Sequence, residues 1–492
     1  MSRVIINKAS NIVYIVILFF VIMLGFYLRI KLFLLNPGIH HDEANLALNM
    51  IEHSYFDLFK PLDRNQVCPP FFLIVSKFIY NLVNFNYCAR FSDMLLKVFP
   101  LISGLAVVPL FTLFLDSIFH NKSLNILGTM FLALNKYAVY YSCVFKQYSL
   151  EMLVALVLML IIYNIDLKNE KQKTNTIIFF LIGFVPLLSI SSYFILAGVV
   201  FYLAYLYLKT REKIYVEFIL LVSLPALLLV FLIYYPAYAL SRIAMYKYWT
   251  AELGLNFPQF IGAFFYKVFH KFKFNFLFLP ITAVISMGII IKNNLKLFFI
   301  MVFPFILTYL AGYFSFYPAE IRLLLFIFPI LIVILLYLFS LVKFLNNGFA
   351  TLIVCCFISL YLIIFINKSP SPDTFILKPD MAREVWEYFS ATYDNSTPVI
   401  FAGSKNSQNY YNKFFVVKKS GYVFSDDINW SELYNAIPSG TYYIVSDLSK
   451  SYNLLLKKKL LADTKIIQYK FFISPWIKSK NKYGWYMKFT KY

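Results

Sequence analysis

Long, almost unbroken apolar runs alternate along the chain with short polar turns rich in lysine. A helix needs about 20 apolar residues to cross a bilayer. Runs of that order predict membrane helices over 11–35, 95–118, 123–142, 147–165, 175–190, 192–209, 214–236, 274–291, 295–314, 321–343 and 348–367. Ser189-Ile190-Ser191-Ser192 divides the fifth from the sixth. The stretch Pro69 to Tyr80 is apolar but short, and a crossing there would invert every loop downstream. It reads as an interfacial helix with Pro69 and Pro70 at its start, where proline is tolerated. From about Ser369 the periodicity shortens behind a linker marked by Pro370, Pro372 and Pro379. Thr397–Ala402, Phe414–Lys418 and Thr441–Val445 read as strands; Arg383–Tyr393, Trp430–Ile437 and Tyr452–Leu461 read as helices. The expected architecture is an all-α polytopic membrane core of about 11–13 transmembrane helices, residues 1–368, followed by a small α/β domain, residues 369–492.

Composition agrees with this pattern. Hydrophobic residues make up 61% of 492 and charged residues 14%, more apolar surface than a soluble chain can hide. The 55 Phe and 39 Tyr suit aromatic belts at two interfaces. The net charge of +21 does not point to nucleic acid, because the basic residues fall mainly in inter-helix turns and the C-terminal portion. Asp166–Lys173, Lys209–Lys213, Lys292–Lys296 and Lys343 share one side with Arg3 and Lys8, and the positive-inside rule makes that side cytoplasmic. Residues 37–94, 143–148, 237–273, 315–320 and everything after 367 then open outward. The first apolar run lacks a small-x-small cleavage site and reads as a retained signal anchor. Five cysteines form no metal or redox motif; Cys68 and Cys88 share a loop and could pair, although independent buried thiols are the preferred reading.

Chemistry gathers on the outer face. Gly38-Ile39-His40-His41-Asp42-Glu43-Ala44 follows the first helix, and adjacent carboxylates at a membrane boundary are functional candidates because charge there is poorly solvated. Lys146 and Glu151 flank the second outer turn, Tyr317 to Arg322 form a later one, and Arg29 and Lys31 sit near the outer end of the first helix. Two acidic centres facing lysines and arginines can displace a phosphate leaving group with a hydroxyl. One carboxylate takes the proton, and the cations offset the charge on the departing phosphate. Taken singly, each residue has a plainer reading: Arg29 and Lys31 can snorkel to headgroups, Lys146 can anchor an interface, and Arg322 can cap a helix. His40 and His41 beside Asp42 could ligate a divalent cation, although the spacing matches no His-Glu-x-x-His motif. The 237–273 loop, with Arg242, Tyr246, Lys247, Trp249 and Glu252, reads equally as a lid or as an interfacial helix.

Arg29 followed by His41-Asp42-Glu43-Ala44 resembles the start of the polytopic, lipid-phosphate-sugar-dependent glycosyltransferases of the GT-C superfamily. That group includes the protein O-mannosyltransferases and the lipid A aminoarabinose transferases. Pro69-Pro70-Phe71-Phe72, Arg90 with its following helix, Tyr141 to Met152, and Tyr317-Pro318 to Phe326 are similar to later landmarks of the group, in order, over roughly residues 10–345. The resemblance implies a helical core with a cavity at the outer leaflet and an inverting transfer from a polyprenyl-phosphate sugar to a glycan, lipid or protein acceptor. It implies Asp42 as general base, Glu43 or Glu151 steering the acceptor or a metal, and Lys146 and Arg322 holding the lipid phosphate. Arg29, His41, Tyr148 and Tyr317 join them in substrate binding. Some branches use a metal and others do not; the expectation is no required cofactor, with a divalent cation as the alternative. The expected location is a multi-pass protein of the bacterial cytoplasmic membrane with an extracytoplasmic active site. The rival classes are a lipid or glycan flippase, and a non-catalytic scaffold; the absence of an internal repeat and the one-sided gathering of charge disfavour the transporter.

Overall fold

The structure is a computed structural model that describes residues 2–36, 38–82, 88–167, 172–237, 262, 264, 266, 278–314, 316–317, 320–341, 382–393, 397, 399–402, 409–411, 413, 422–424, 440–446, 464–473 and 483–491. The chain divides into two compact units. The first takes Met1–Leu32, His53–Ser76 and Val98–Ile364; the second takes Phe33–Glu52, Lys77–Lys97 and Phe365–Tyr492.

In chain order the described helices are α1 (Ser2–Leu35), α2 (His41–Glu52), α3 (Pro70–Leu82), α4 (Ala89–Phe119), α5 (Lys122–Ala133), α6 (Lys136–Tyr141), α7 (Tyr148–Asn164), α8 (Gln172–Ile182), α9 (Ser192–Thr210), α10 (Ile214–Leu229), α11 (Phe278–Asn293), α12 (Leu295–Tyr313), α13 (Ile327–Ser340) and α14 (Ala382–Thr392). Five of the described helical stretches are long and apolar enough to cross a bilayer: Asn11–Leu35, Ala89–Phe119, Ser192–Thr210, Ile214–Ala237 and Leu295–Tyr313. This is a multi-pass membrane protein. Pro100 and Pro109 lie inside α4, as membrane helices tolerate where neighbouring groups satisfy the freed carbonyls.

Local chemistry explains where the helices depart from the apolar runs. The run 123–142 is not one span. Asn135 Oδ1 accepts the N–H groups of Tyr137 and Ala138 at 3.0 and 3.1 Å, capping α6 and ending the helix before it. The run 175–190 shortens to α8 and a single 3₁₀ turn, Val185–Leu187, begun around Pro186. Residues 321–326 form turns rather than the first part of α13. Helix α3 begins at Pro70, with the Phe72 N–H on the Pro69 carbonyl at 3.1 Å. Its 13 residues reach about 20 Å at 1.5 Å per residue, short of the ~30 Å hydrocarbon layer. In the first unit, α1 crosses the end of α5 closely enough that a Cβ on Gly25 would stand 2.9 Å from that of Ala133, a small-residue approach typical of membrane helices.

The described strands of the second unit are β1 (Val399–Ala402), β2 (Tyr422–Phe424), β3 (Gly440–Ser446), β4 (Thr464–Ile473) and β5 (Tyr483–Lys491). They form one sheet in the order β2-β1-β3-β5-β4. β1 runs parallel to β2 and β3, while β5 runs antiparallel to β3 and β4. Helix α14 joins this sheet through Phe389, whose ring meets Tyr443 edge-on at 5.6 Å. The expected helix at 383–393 and the strands near 397–402 and 441–445 correspond to α14, β1 and β3. The long pair β4 and β5 is absent from the sequence reading, although Trp485, Met487 and Phe489 alternate with Tyr486, Lys488 and Thr490 in the period of a strand. The expected span 348–367, the linker at 369–379, the strand at 414–418, the helices at 430–437 and 452–461, and nearly all of the 237–273 loop lie outside the described residues. Cys68, Cys88 and Cys143 are free thiols, so Cys68 and Cys88 are not bridged; Cys68 and Cys143 are buried, whereas Cys88, just ahead of α4, is exposed rather than buried.

Candidate active site

In the second unit the acidic motif begins where α1 ends. Asn36 takes a left-handed conformation, φ 43°, which asparagine tolerates better than most residues, and the chain turns there into α2. His40 stands at the N-cap of α2. Its carbonyl accepts the N–H groups of Glu43 and Ala44 at 2.8 and 2.9 Å, and the Glu43 Oε2 reaches back to the His40 N–H at 2.9 Å. That is the reciprocal half of a capping box, which satisfies a donor the helix leaves open.

The adjacent carboxylates therefore differ. Glu43 is enclosed, 4% exposed, with one oxygen bound into the cap. Asp42 lies in the same first turn with its side chain 27% exposed, at the positive end of the helix dipole. His41 Nε2 lies 3.4 Å from Asp42 Oδ1, and His40 Nε2 lies 3.3 Å from His41 Nδ1. Ligand atoms of His40, His41 and Asp42 all fall within 4.8 Å of one another. The trio could hold a divalent cation and leave it open positions for water or substrate.

In the first unit a second cluster forms at the turn between α6 and α7. Lys146 is buried, and its Nζ donates to Gln66 Oε1 at 2.7 Å. The neighbouring Gln147 Oε1 accepts from the Cys68 thiol at 3.7 Å. Residues 66–68 thus hold the turn through two amide side chains. Burial pushes the Cys68 thiol up, Lys146 opposes that shift, and Glu151 adds to it. Tyr148 opens α7 with its ring edge-on to Tyr141 at 5.2 Å. One turn further, the buried Glu151 carboxylate lies beside the backbone amides of Ile190 and Ser191. The Ser189–Ser192 break thus brings backbone amides beside a carboxylate in an apolar setting.

Tyr317 donates to the Leu323 carbonyl at 2.9 Å and meets Phe194 edge-on at 5.1 Å. Burial, with Glu151 and Tyr148 nearby, drives its phenol well above the usual range. Arg322, half-buried, lies on the loop that this bond ties down. Arg29 is fully buried rather than reaching toward headgroups. It donates to the carbonyls of Gly25 and Ala133 at 2.9 and 2.8 Å, while its Nε and Nη2 make no hydrogen bond among the described residues.

Lys146, Tyr148, Glu151 and Tyr317 are thus gathered in the first unit, and His41, Asp42 and Glu43 in the second. Gln66, Cys68 and Gln147 were not legible as site residues, because an amide or a thiol in a loop carries no charge signal. Asp93, buried in the first turns of α4, did carry one: it is an acid at the head of an apolar helix, with Lys97 one turn on.

No family model matches this sequence, and no curated protein does. Solved structures do match it. One is ArnT from Cupriavidus metallidurans in the apo state, with a TM-score of 0.50 and 11% identity over 98% of both chains. Another is the same protein bound to undecaprenyl phosphate, with a TM-score of 0.46 and 11% identity, also over 98% of both chains. Over nearly its full length, this chain has the fold of the apo ArnT.

Proposed function

We propose that this protein is an integral-membrane inverting glycosyltransferase that moves a sugar from a polyprenyl-phosphate donor to a hydroxyl acceptor outside the cytoplasm. Asp42, partly open at the first turn of a capped helix, carries the reading. The fold shared with ArnT, an aminoarabinose transferase, supports it, as does the order of sequence landmarks. In the proposed reaction Asp42 takes the proton of the acceptor hydroxyl as its oxygen attacks the anomeric carbon. The carbon–oxygen bond to phosphate breaks, and the polyprenyl phosphate leaves with the bonding pair. A single displacement inverts the anomeric centre.

Lys146 and Arg322 offset the negative charge of the leaving phosphate, and Tyr148 and Tyr317 line its approach. Glu43 and Glu151 set the geometry around the two clusters rather than exchange protons. The 369–492 segment lies outside the cytoplasm, and no step requires a metal. The test is Asp42→Asn, which keeps the shape and the cap. Membrane insertion should be unchanged while sugar transfer from a polyprenyl-phosphate sugar is lost. Transfer at the parent rate would overturn the assignment, and movement of unmodified lipid across vesicles by the purified protein would replace it with a flippase.

A further inference from the structure

The second unit contains a buried polar network that reaches the backbone just ahead of the acidic motif. At its centre is Asp93, fully buried in α4. Its Oδ2 accepts from Arg383 Nη1 at 3.1 Å and from the Tyr411 hydroxyl at 3.2 Å, and its Oδ1 accepts from the Tyr410 hydroxyl at 3.0 Å. An ionised carboxylate only accepts, so each tyrosine proton points at Asp93 and each phenolic oxygen is left to accept a second bond. Tyr410 is thereby placed to accept from Ser92 at 2.9 Å. Tyr411 accepts the N–H of Ile39 at 3.2 Å. Arg383 Nη2 completes the bracket by donating to the carbonyl of Asn36 at 2.9 Å. Asn36 and Ile39, on the way from α1 into α2, are therefore both held by side chains from beyond residue 380, and Ile39 leads directly into His40 and the capped helix that carries Asp42.

We infer that Asp93, Arg383 and Tyr411 are positioning residues for Asp42, with Tyr411 transmitting the position of the Asp93 carboxylate to the Ile39 amide. This deepens the glycosyltransferase reading, on which it rests. It gives the C-terminal segment a role in building the site, since removing the Tyr411 hydroxyl frees the Ile39 amide without touching Asp42.

The experiment compares Tyr411→Phe with Tyr410→Phe in the full-length protein. The two changes remove one hydroxyl each from the same carboxylate, but only one of those hydroxyls reaches Ile39. Amide hydrogen exchange is followed over residues 38–43, and transfer is measured with a polyprenyl-phosphate sugar. Tyr411→Phe should speed exchange over 38–43 by about ten-fold or more through local opening. It should also lower kcat by about ten-fold, the scale of one hydrogen bond, with the donor KM within about two-fold. Tyr410→Phe should leave both readouts within about three-fold of the parent, since its hydroxyl bonds elsewhere. Unchanged exchange in Tyr411→Phe overturns the inference. So does faster exchange with an unchanged kcat, or an equal effect of the two variants, which would mark a general structural role. A parent protein that transfers no sugar would defeat the functional reading, and the exchange comparison would still decide whether Tyr411 holds Ile39.

Discussion

The two acidic centres are held in place by different means. In the first unit, Lys146, Gln147, Tyr148 and Glu151 come from one turn and the start of one helix. Their described partners include an amide at Gln66 and a thiol at Cys68, with the backbone amides of Ile190 and Ser191 beside Glu151. In the second unit, the segment leading to Asp42 is fixed by residues far along the chain: Tyr411 is separated by 372 positions from Ile39, and Arg383 by 347 from Asn36. Closing so long a loop costs conformational entropy that rises only slowly with length, so a buried charged network can hold it. The lesson is that a cluster from a single turn keeps its internal spacing by local geometry, whereas the Asp42 turn depends on a distant part of the fold.

The largest expected difference between the centres is catalytic. Asp42→Asn should lower transfer by about 100- to 10,000-fold, the range for a positioned general base, whereas Glu43→Gln should remain active, because its carboxylate serves the cap. Equal losses in an assay of purified variants would erase the distinction drawn here between the two carboxylates. Next comes stability. Asp93→Ala leaves Arg383 buried without its carboxylate and should cost about 3–5 kcal/mol, read as a lowered thermal transition in detergent. A transition within error of the parent would mean that the network does not hold the second unit together.

A binding effect should follow in the first unit. Lys146→Ala should raise the donor KM by about 10- to 100-fold, matching one lost charge-assisted hydrogen bond, with a smaller change in kcat. A drop in kcat alone would move Lys146 from phosphate binding to the chemical step. The smallest effect separates two thiols. In a background lacking Cys143, Cys355 and Cys356, the exposed Cys88 should react with a maleimide at pH 8. The buried Cys68, its pKa pushed up by burial, stays protonated there and should react much more slowly, since the thiolate is the nucleophile. Chelation bears on the His40–His41–Asp42 trio as well. Transfer that survives EDTA agrees with the proposal, and loss restored by an added divalent cation would put the ion on those residues.

The candidate site was visible in residue types. Asp42 and Glu43 stand out because charge beside an apolar run is costly, and Lys146 and Glu151 stand out for the same reason. The different surroundings of Asp42 and Glu43 were not visible, since they depend on which side chain turns back to the His40 amide. The surroundings of Ser189–Ser192 were hidden too: a break between spans places the backbone amides of Ile190 and Ser191 beside Glu151, which stands far earlier in the chain.

From the sequence alone came the membrane, most of the helical runs, the composition change near residue 369 and the candidate charges, because hydrophobic length and charge cost act locally along the chain. Only the tertiary structure decided that Arg29 is enclosed among carbonyls, that Asn135 breaks an apolar run in two, and that Phe33–Glu52 and Lys77–Lys97 belong with the C-terminal segment. Those outcomes depend on which distant donors and acceptors meet when buried polar groups must be satisfied, and no local pattern records the meeting.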